Sequence, residues 1–455
     1  MQSMQIKNLL QRQEGKTLEF KRDLSSPDKV LRSVVAFANT AGGILLIGIE
    51  DGTRAVVGVK DPLDEEERIA NLISDSISPQ LAPDIEILPW RNTYLVGARI
   101  HPGPSRPYFL RKLGKKKGTF IRVGSTNRIA DHNMLEELQR TARNESYDEM
   151  PMPELSSEAI DFRAASEYFG GIRELKSGDL ETLRLVTKYQ GKRCPTIGGF
   201  LLFGKNRLKH FPDAWIQAGR FAGRDRSSIR DHVELMDMMP TAVDSAITFL
   251  RKHDERRADI GTIRRVDRWS YPPAAVREAV INAVVHADYS QQGSPIRVSA
   301  FDDRLEIENP GLLPLGLTIE DIQQGVSKLR NRVLGRVFRE LGLIEQWGSG
   351  IQRMFRACRE AGLAEPLIEE IGLHFRLTLY RERRGEPTQD QLDGQILAFL
   401  RKQGELSTKQ IANLIGLSSR AARNRMIRLV ERGLVVEIGT GPKDPRRRYA
   451  LVTDR

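Results

Sequence analysis

Ser418-Ser419-Arg420-Ala421-Ala422-Arg423-Asn424-Arg425-Met426-Ile427-Arg428-Leu429-Val430, closed by Gly433, is the stretch on which the reading of the chain turns. Ser418 can accept the first free N–H groups of a helix, and a glycine such as Gly433 ends one. Ala421, Met426, Leu429 and Val430 suit a buried stripe, and the rest of the surface offers Arg420, Arg423, Asn424, Arg425 and Arg428. Arginine and asparagine have the donor geometry that reads guanine and adenine edges in the major groove. The competing reading is a protein-contacting helix whose arginines are solvated.

The flanking residues favour the first. Upstream, Ser407 can cap a helix over Thr408–Ile415 that Gly416 closes, and Leu392, Ile396, Leu397, Phe399 and Leu400 make Asp390 to Lys402 amphipathic. Downstream, Leu434 to Ile438 and Arg448 to Val452 read as strands around a basic loop holding Lys443, Arg446 and Arg447, with Arg448 beside it. Helix, short turn, helix and hairpin follow the winged-helix order. The loop suits phosphates or the minor groove. Residues 388–455 hold thirteen basic and seven acidic side chains, about half of the chain's net charge of +11. Double-stranded DNA is therefore the expected partner, and a homodimer on a palindromic site the expected assembly.

The whole chain of 455 residues is long enough for several cores. Its 71 basic against 60 acidic residues favour a polyanionic partner. Cys194 and Cys358 lie far apart, which argues against a disulfide framework or a zinc site. The longest apolar run, Ile44 to Ile49, has the length of a buried strand, so no membrane span is expected and a cytoplasmic location fits. The pattern predicts a multidomain α+β protein: an α/β domain over 1–145, a middle α+β connecting region over 155–265, an α/β sandwich over 266–382, and the winged helix over 388–455. Tyr147 to Pro153 and Arg381 to Pro387 read as linkers. In the middle region, Gly199-Phe200-Leu201-Leu202-Phe203-Gly204-Lys205-Asn206 nearly fits the P-loop pattern. It lacks the magnesium-binding hydroxyl and reads as a core strand and turn. A P-loop helicase is not expected.

Near the N-terminus, Glu14-Gly15-Lys16-Thr17-Leu18-Glu19-Phe20-Lys21 precedes Val34 to Gly43, the strand Ile44 to Ile49 and the turn Glu50-Asp51-Gly52; Phe120 to Thr126 follow later. This series resembles the Schlafen-type, Alba-like domain of many bacterial regulators. The resemblance implies a nucleic-acid-binding role. In nucleolytic members it also implies a metal held by paired glutamates and an aspartate, here Glu14, Glu19 and Asp51, with Glu50 an equal alternative for the third ligand. The other reading of Glu19 is an ion pair with a nearby Lys or Arg. Asn39 and Gly42-Gly43 predict a tight passage from helix to strand. Lys115, Lys116 and Lys117 form a basic stretch that could follow a phosphate backbone or lie at a solvated tip.

Residues 277–289, Asn309-Pro310-Gly311, and Trp347-Gly348-Ser349-Gly350-Ile351 together resemble the Bergerat (GHKL) ATP-binding fold of gyrase, histidine kinases and the MutL repair protein. They are closest to the divergent version in bacterial regulators of the RecG-related, helicase-like group. The resemblance implies ATP and Mg²⁺ as cofactors: Asn282 on the metal, Glu278 orienting a water in any hydrolysis, and Asn309, Gly311, Gly348, Ser349 and Gly350 around the nucleotide. Ser327 to Arg332 would be its movable lid. Asn309-Pro310-Gly311 departs from the usual Asp-x-Gly-x-Gly and removes the usual acceptor for the adenine amino group. Three readings follow. The chain is a DNA-binding transcriptional regulator with a nucleotide effector, a metal-dependent nuclease using the N-terminal carboxylates, or an ATP hydrolase that remodels a nucleoprotein complex.

Overall fold

The computed structural model describes residues 3–254, 257–258, 267–344, 348–381, 389–416, 418–431, 433–438 and 448–451. The chain divides into two compact units, Met1–Glu382 and Arg383–Arg455.

The first unit begins with a four-stranded sheet in the order Leu18–Lys21, Gly43–Ile47, Thr93–Ile100, Asp84–Trp90. Only the first pair is parallel. A parallel pair needs a crossover, and the helix Pro27–Asn39 supplies it. Alternation along Ile44-Leu45-Leu46-Ile47 sends Leu45 and Ile47 to a core with Val34, Phe37 and Ile73, while Leu46 joins Ile6, Phe20 and Leu88 on the other face. Gly42 takes φ +77°, and a Cβ there would lie 2.7 Å from the Ile100 carbonyl oxygen. A Cβ on Gly43 would come as close to the Phe37 ring. Asn39 fixes the same corner, donating to the carbonyls of Tyr108 and Phe120 at 2.8 and 2.9 Å and accepting from the Tyr108 N–H. The expected tight passage is thus a cross-tied one.

The rest of this unit is built on one six-stranded sheet in the order Ile229–Leu235, Ile216–Phe221, Ile296–Ala300, Arg304–Pro310, His374–Tyr380, Leu367–Ile371. The expected boundary between 155–265 and 266–382 therefore falls inside a sheet. Ile216–Phe221 pairs in parallel with Ile296–Ala300, and one core runs from Met152 to Leu379. The Gly199-to-Phe203 segment also differs from expectation. It lies in a helix, Ile197–Phe203, capped by the Thr196 hydroxyl, and all seven residues are buried. A run buried on every side has no hydrophobic period to distinguish helix from strand.

The expected linker at Tyr147 to Pro153 is instead a docked strap. Buried Asp148 accepts the N–H groups of Arg332, Val333 and Leu334 at 2.7–3.0 Å, capping the helix Arg332–Glu340 from a distant part of the chain. Burial pushes its carboxyl up to about 6, against the opposing hydrogen bonds from Ser146 and the helix.

The second unit has helices Gln389–Gln403, Thr408–Ile415 and Ser419–Glu431, with strands ordered Leu406–Ser407, Arg448–Leu451, Val435–Ile438. Ser407 and Gln410 form a capping box, and Gly416 takes the left-handed conformation that closes its helix. Ile396, Leu400, Ile411, Ala422, Met426, Leu429 and Tyr449 form the core. Ala422, rather than Ala421, is the fully buried alanine.

Candidate functional site

The helix Pro273–His286 begins with proline at its first turn and puts Glu278, Asn282, Val285 and His286 on one face. That face borders a cavity of about 140 Å³. Asn309 enters it from the end of the strand Arg304–Pro310, and Leu312, Leu313 and Leu317 from the following loop. Ser327 and Lys328 close another side, and Gly348, Ser349, Gly350 and Arg353 approach at the start of the helix Gly350–Glu360. Segments far apart in sequence thus meet in one cavity. Trp347 lies outside the described residues.

Glu278 is held on both oxygens. Oε1 accepts from Asn282 Nδ2 at 3.1 Å, and Oε2 pairs with Arg353 Nη2 at 3.2 Å. A Cβ on Gly350 would come within 1.7 Å of Glu278 Oε1, so only glycine lets the carboxylate seat there. Gly348 has φ +64°, and its Cβ would meet the Ser327 Cβ at 2.7 Å. The resulting hollow lets a ligand approach the helix N-terminus, where backbone N–H groups favour anions. Lys328 adds a nearby ammonium; it donates to the Leu315 carbonyl at 3.0 Å. Desolvation lowers its pKa first, and Arg106 and Arg332 add to the effect. Burial, then Arg330, pushes the His286 imidazole down to about 4, leaving it neutral at pH 7.

These residues fit an anionic ligand with a hard cation. The Asn282 nitrogen is committed to Glu278, and the amide oxygen is the atom such a cation takes. Asn309 is almost fully buried, its Nδ2 donating to the Pro310 carbonyl at 3.0 Å. Gly311 does not belong to the lining. Its φ is +101°, and it packs against Asp288 and Arg330, where a side chain would clash. The segment Ser327 to Arg332 is likewise more tethered than a free lid. Asn331 donates to the carbonyls of Val285 and Ala287, and Arg332 to Asn144.

The N-terminal carboxylates are arranged differently from a metal centre. Glu19 is buried, with Oε2 on Arg122 Nη2 and Oε1 on Lys21 Nζ, both at 2.5 Å. Glu14 accepts the Phe20 N–H at 2.7 Å. Desolvation raises its pKa against that bond, with Glu19 and Asp51 adding to the rise. Asp51 is exposed in its turn. Among the described residues no three His, Cys, Asp or Glu side chains converge to hold a metal. Glu19 follows the ion-pair alternative because two cations reach it first.

On the winged helix, Arg423, Asn424 and Arg428 are exposed, and Arg428 donates to the Asn424 carbonyl at 3.4 Å. Arg425 is not part of that surface: it is 8% exposed and pairs with Asp393 at 2.8 Å. Its place three residues after Ala422 and four before Leu429 puts it on the buried stripe. Arg448 is exposed at the start of its strand. The side chain of Arg420 and the residues Lys443, Arg446 and Arg447 lie outside the described residues. Lys115, Lys116 and Lys117 are exposed on a short helix, Gly114–Gly118. Sequence reasoning missed Arg353, whose pairing with Glu278 crosses two helices.

The fold and these surfaces define a winged-helix DNA-binding protein that also carries an ATPase-like domain. The family model "Schlafen, AlbA_2" matches residues 14–131, "Putative ATP-dependent DNA helicase recG C-terminal" matches 293–379, and "Winged helix-turn-helix DNA-binding" matches 389–436. The chain thus joins matches to a Schlafen AlbA_2 domain, a RecG C-terminal-like, ATPase-like domain and a winged helix in that order. No curated protein matches it. Among solved structures, the DIP2311 protein from Corynebacterium diphtheriae is 19% identical, with 99% of each chain covered and a TM-score of 0.46. The N-terminal domain of an ATP-dependent DNA helicase RecG-related protein from Nitrosomonas europaea is 22% identical over 28% of this chain and 94% of that one, with a TM-score of 0.22.

Proposed function

We propose that the protein is a transcriptional regulator whose hold on double-stranded DNA responds to a nucleotide in the Glu278–Asn282–Gly350 cavity. The observation that carries this reading is the joining, in one chain, of an exposed Arg423–Asn424–Arg428 face to a cavity with a glycine-lined helix N-terminus. In the winged helix, Arg423 and Asn424 read base edges, Arg428 and Arg448 meet the backbone, and Arg425 positions the helix through Asp393. On the sequence pattern, the same DNA contact is assigned to Arg420, Lys443, Arg446 and Arg447. Lys115, Lys116 and Lys117 give the N-terminal domain a second phosphate-contacting surface.

In the cavity, Asn282 would hold Mg²⁺ through its amide oxygen. The N–H groups at Gly348, Ser349 and Gly350, with the Lys328 ammonium, would take the phosphates. Asn309 contacts the base. ATP with Mg²⁺ supplies the charge that distinguishes an occupied from an empty site. Glu278 would orient a water in any hydrolysis, but its pairing with Arg353 makes binding, rather than rapid turnover, the expected behaviour. A homodimer on a palindromic site completes the reading. It also places the protein in the cytoplasm; among the described residues no helix is long and apolar enough to cross a membrane.

The test is titration of labelled duplex DNA with the purified chain, with and without ATP and Mg²⁺, at two salt concentrations. Steeply salt-dependent binding that ATP shifts is the expected result. DNA affinity identical with and without saturating, independently demonstrated ATP binding removes the nucleotide-responsive part.

A further inference from the structure

Two adjacent residues of the cavity wall, Leu312 and Leu313, are each tied to the N-terminal domain by a charged pair. The Leu313 N–H donates to Glu370 Oε1 at 2.8 Å, and the two oxygens of Glu370 receive Lys16 Nζ at 2.8 and 2.7 Å. Lys16 belongs to the turn in which Glu14 accepts the Phe20 N–H and the Gly15 carbonyl accepts from Arg122 Nε. The Leu312 carbonyl accepts from Arg330 Nη2, while Arg330 Nη1 reaches Glu137 on the helix His132–Ala142, both at 2.5 Å. Burial alone would lower the Arg330 pKa, but Glu137 and Asp288 outweigh it and the pKa is raised. The side chains of both pairs are 9–17% exposed, so salt screens them little. Behind the same wall lies a second, smaller cavity bordered by Lys16, Arg122, Glu137, Leu313 and Arg330. The wall is therefore backed by a void of only about 20 Å³ and held by two struts that must respond when it shifts.

We infer that the cavity wall and the Glu14–Phe20 turn form one coupled element, so that ligand occupancy is transmitted to the N-terminal domain through Lys16–Glu370 and Arg330–Glu137. The ligand-dependent half of this inference rests on the nucleotide reading; the mechanical half does not. A ligand that presses on Leu312 and Leu313 shifts Glu370 or Arg330, and neither can shift without pulling on Lys16 or Glu137. Such a route is physically contiguous, and its strength is a measurable coupling between the two ends.

The experiment is hydrogen–deuterium exchange on the full-length protein, comparing wild type, Lys16→Met, Glu370→Gln and the double variant, each with and without ATP and Mg²⁺. Without ATP, Lys16→Met speeds exchange at 312–317, across the interface, by at least about fivefold, and Glu370→Gln does the same at 14–20. The double variant, which leaves neither charge buried alone, guards against unfolding as the cause: it keeps the wild-type melting profile and still shows both effects. With ATP, protection at 14–20 changes in wild type and changes by less than half as much in the double variant, which keeps only the Arg330–Glu137 strut. Effects confined to the substituted side, or an ATP response of 14–20 undiminished in the double variant, overturn the inference. If ATP alters no wild-type peptide, including 278–286 and 348–353, the nucleotide reading fails by itself. The exchange across the interface without ATP then still decides whether the struts couple the two domains.

Discussion

Replacing Gly350 with alanine adds one methyl group at the point where the cavity is tightest. The new Cβ would stand 1.7 Å from Glu278 Oε1 and 2.3 Å from its Cδ. Non-bonded heavy atoms settle at about 3.5–4.0 Å, so the carboxylate must retreat by well over about 1 Å. That movement breaks the Asn282 hydrogen bond and stretches the Arg353 pair. A hydrogen bond to a charged group is worth about 1.5–3 kcal/mol. Arg353 is 40% exposed, so its pair adds no more than about 1 kcal/mol after solvent screening. Alanine is the better helix former by up to about 1 kcal/mol, which works in the opposite direction. The balance is a loss of about 2 kcal/mol at the residues proposed to hold the ligand, or on the order of 30-fold in Kd. Isothermal titration of ATP and Mg²⁺ into wild type and Gly350→Ala measures it. A Glu278→Ala/Gly350→Ala double variant removes the group the methyl strikes and recovers affinity relative to Gly350→Ala, a non-additivity that identifies the clash. Binding by Gly350→Ala within twofold of wild type, or strictly additive effects, would refute the reasoning.

Arg423→Ala and Asn424→Ala each lower the affinity for a specific duplex by about 1–3 kcal/mol without changing the melting of the winged helix, as gel shift and calorimetry would show. Arg425→Ala behaves oppositely: it removes the cation 2.8 Å from the buried Asp393 carboxylate and destabilises that unit by about 3 kcal/mol, whereas lost affinity with unchanged melting would make Arg425 a DNA contact. Burial holds the folded Asp148 carboxyl at about 6, above the 3.8 of a free aspartate, so the folded state binds the proton more tightly. Its contribution is present below about pH 3.8 and is lost as pH rises through about 6, by up to about 3 kcal/mol. Denaturant titrations across that window should show a slope that Asp148→Asn removes; identical slopes count against the shift.

The winged helix was legible because its signals are local. Ser407, Gly416 and Gly433 cap and close short elements, and the apolar stripe of each helix can be read within a few turns. The cavity was legible for a different reason: Glu278 and Asn282 carry helical spacing, and glycines on both sides of Ser349 mark a close approach, which the structure shows to be that of Glu278 and Ser327. What escaped was decided by distant pairing. Nothing near Ile216 announces that its neighbour in the sheet is Ile296, so one sheet read as two regions. Arg425 escaped because the expected stripe ran through Ala421 and Val430, whereas the buried one runs through Ala422, Met426 and Leu429 and so takes in Arg425. Glu19 shows the limit of a motif: the spacing of the two glutamates survives, but Arg122, more than a hundred residues later, determines what one of them does.

The six-stranded sheet also governs how the chain can be made. Ile216–Phe221 leaves the ribosome well before Ile296–Ala300, and the strand His374–Tyr380 comes later still. At synthesis rates of about 5–20 residues per second, the early strands stand with an open edge for several seconds. A nascent chain halted near residue 265 would present that edge to its neighbours, whereas one that reaches Arg381 has every strand of the sheet in hand. Production of this protein in fragments should therefore succeed or fail on whether the cut respects the sheet.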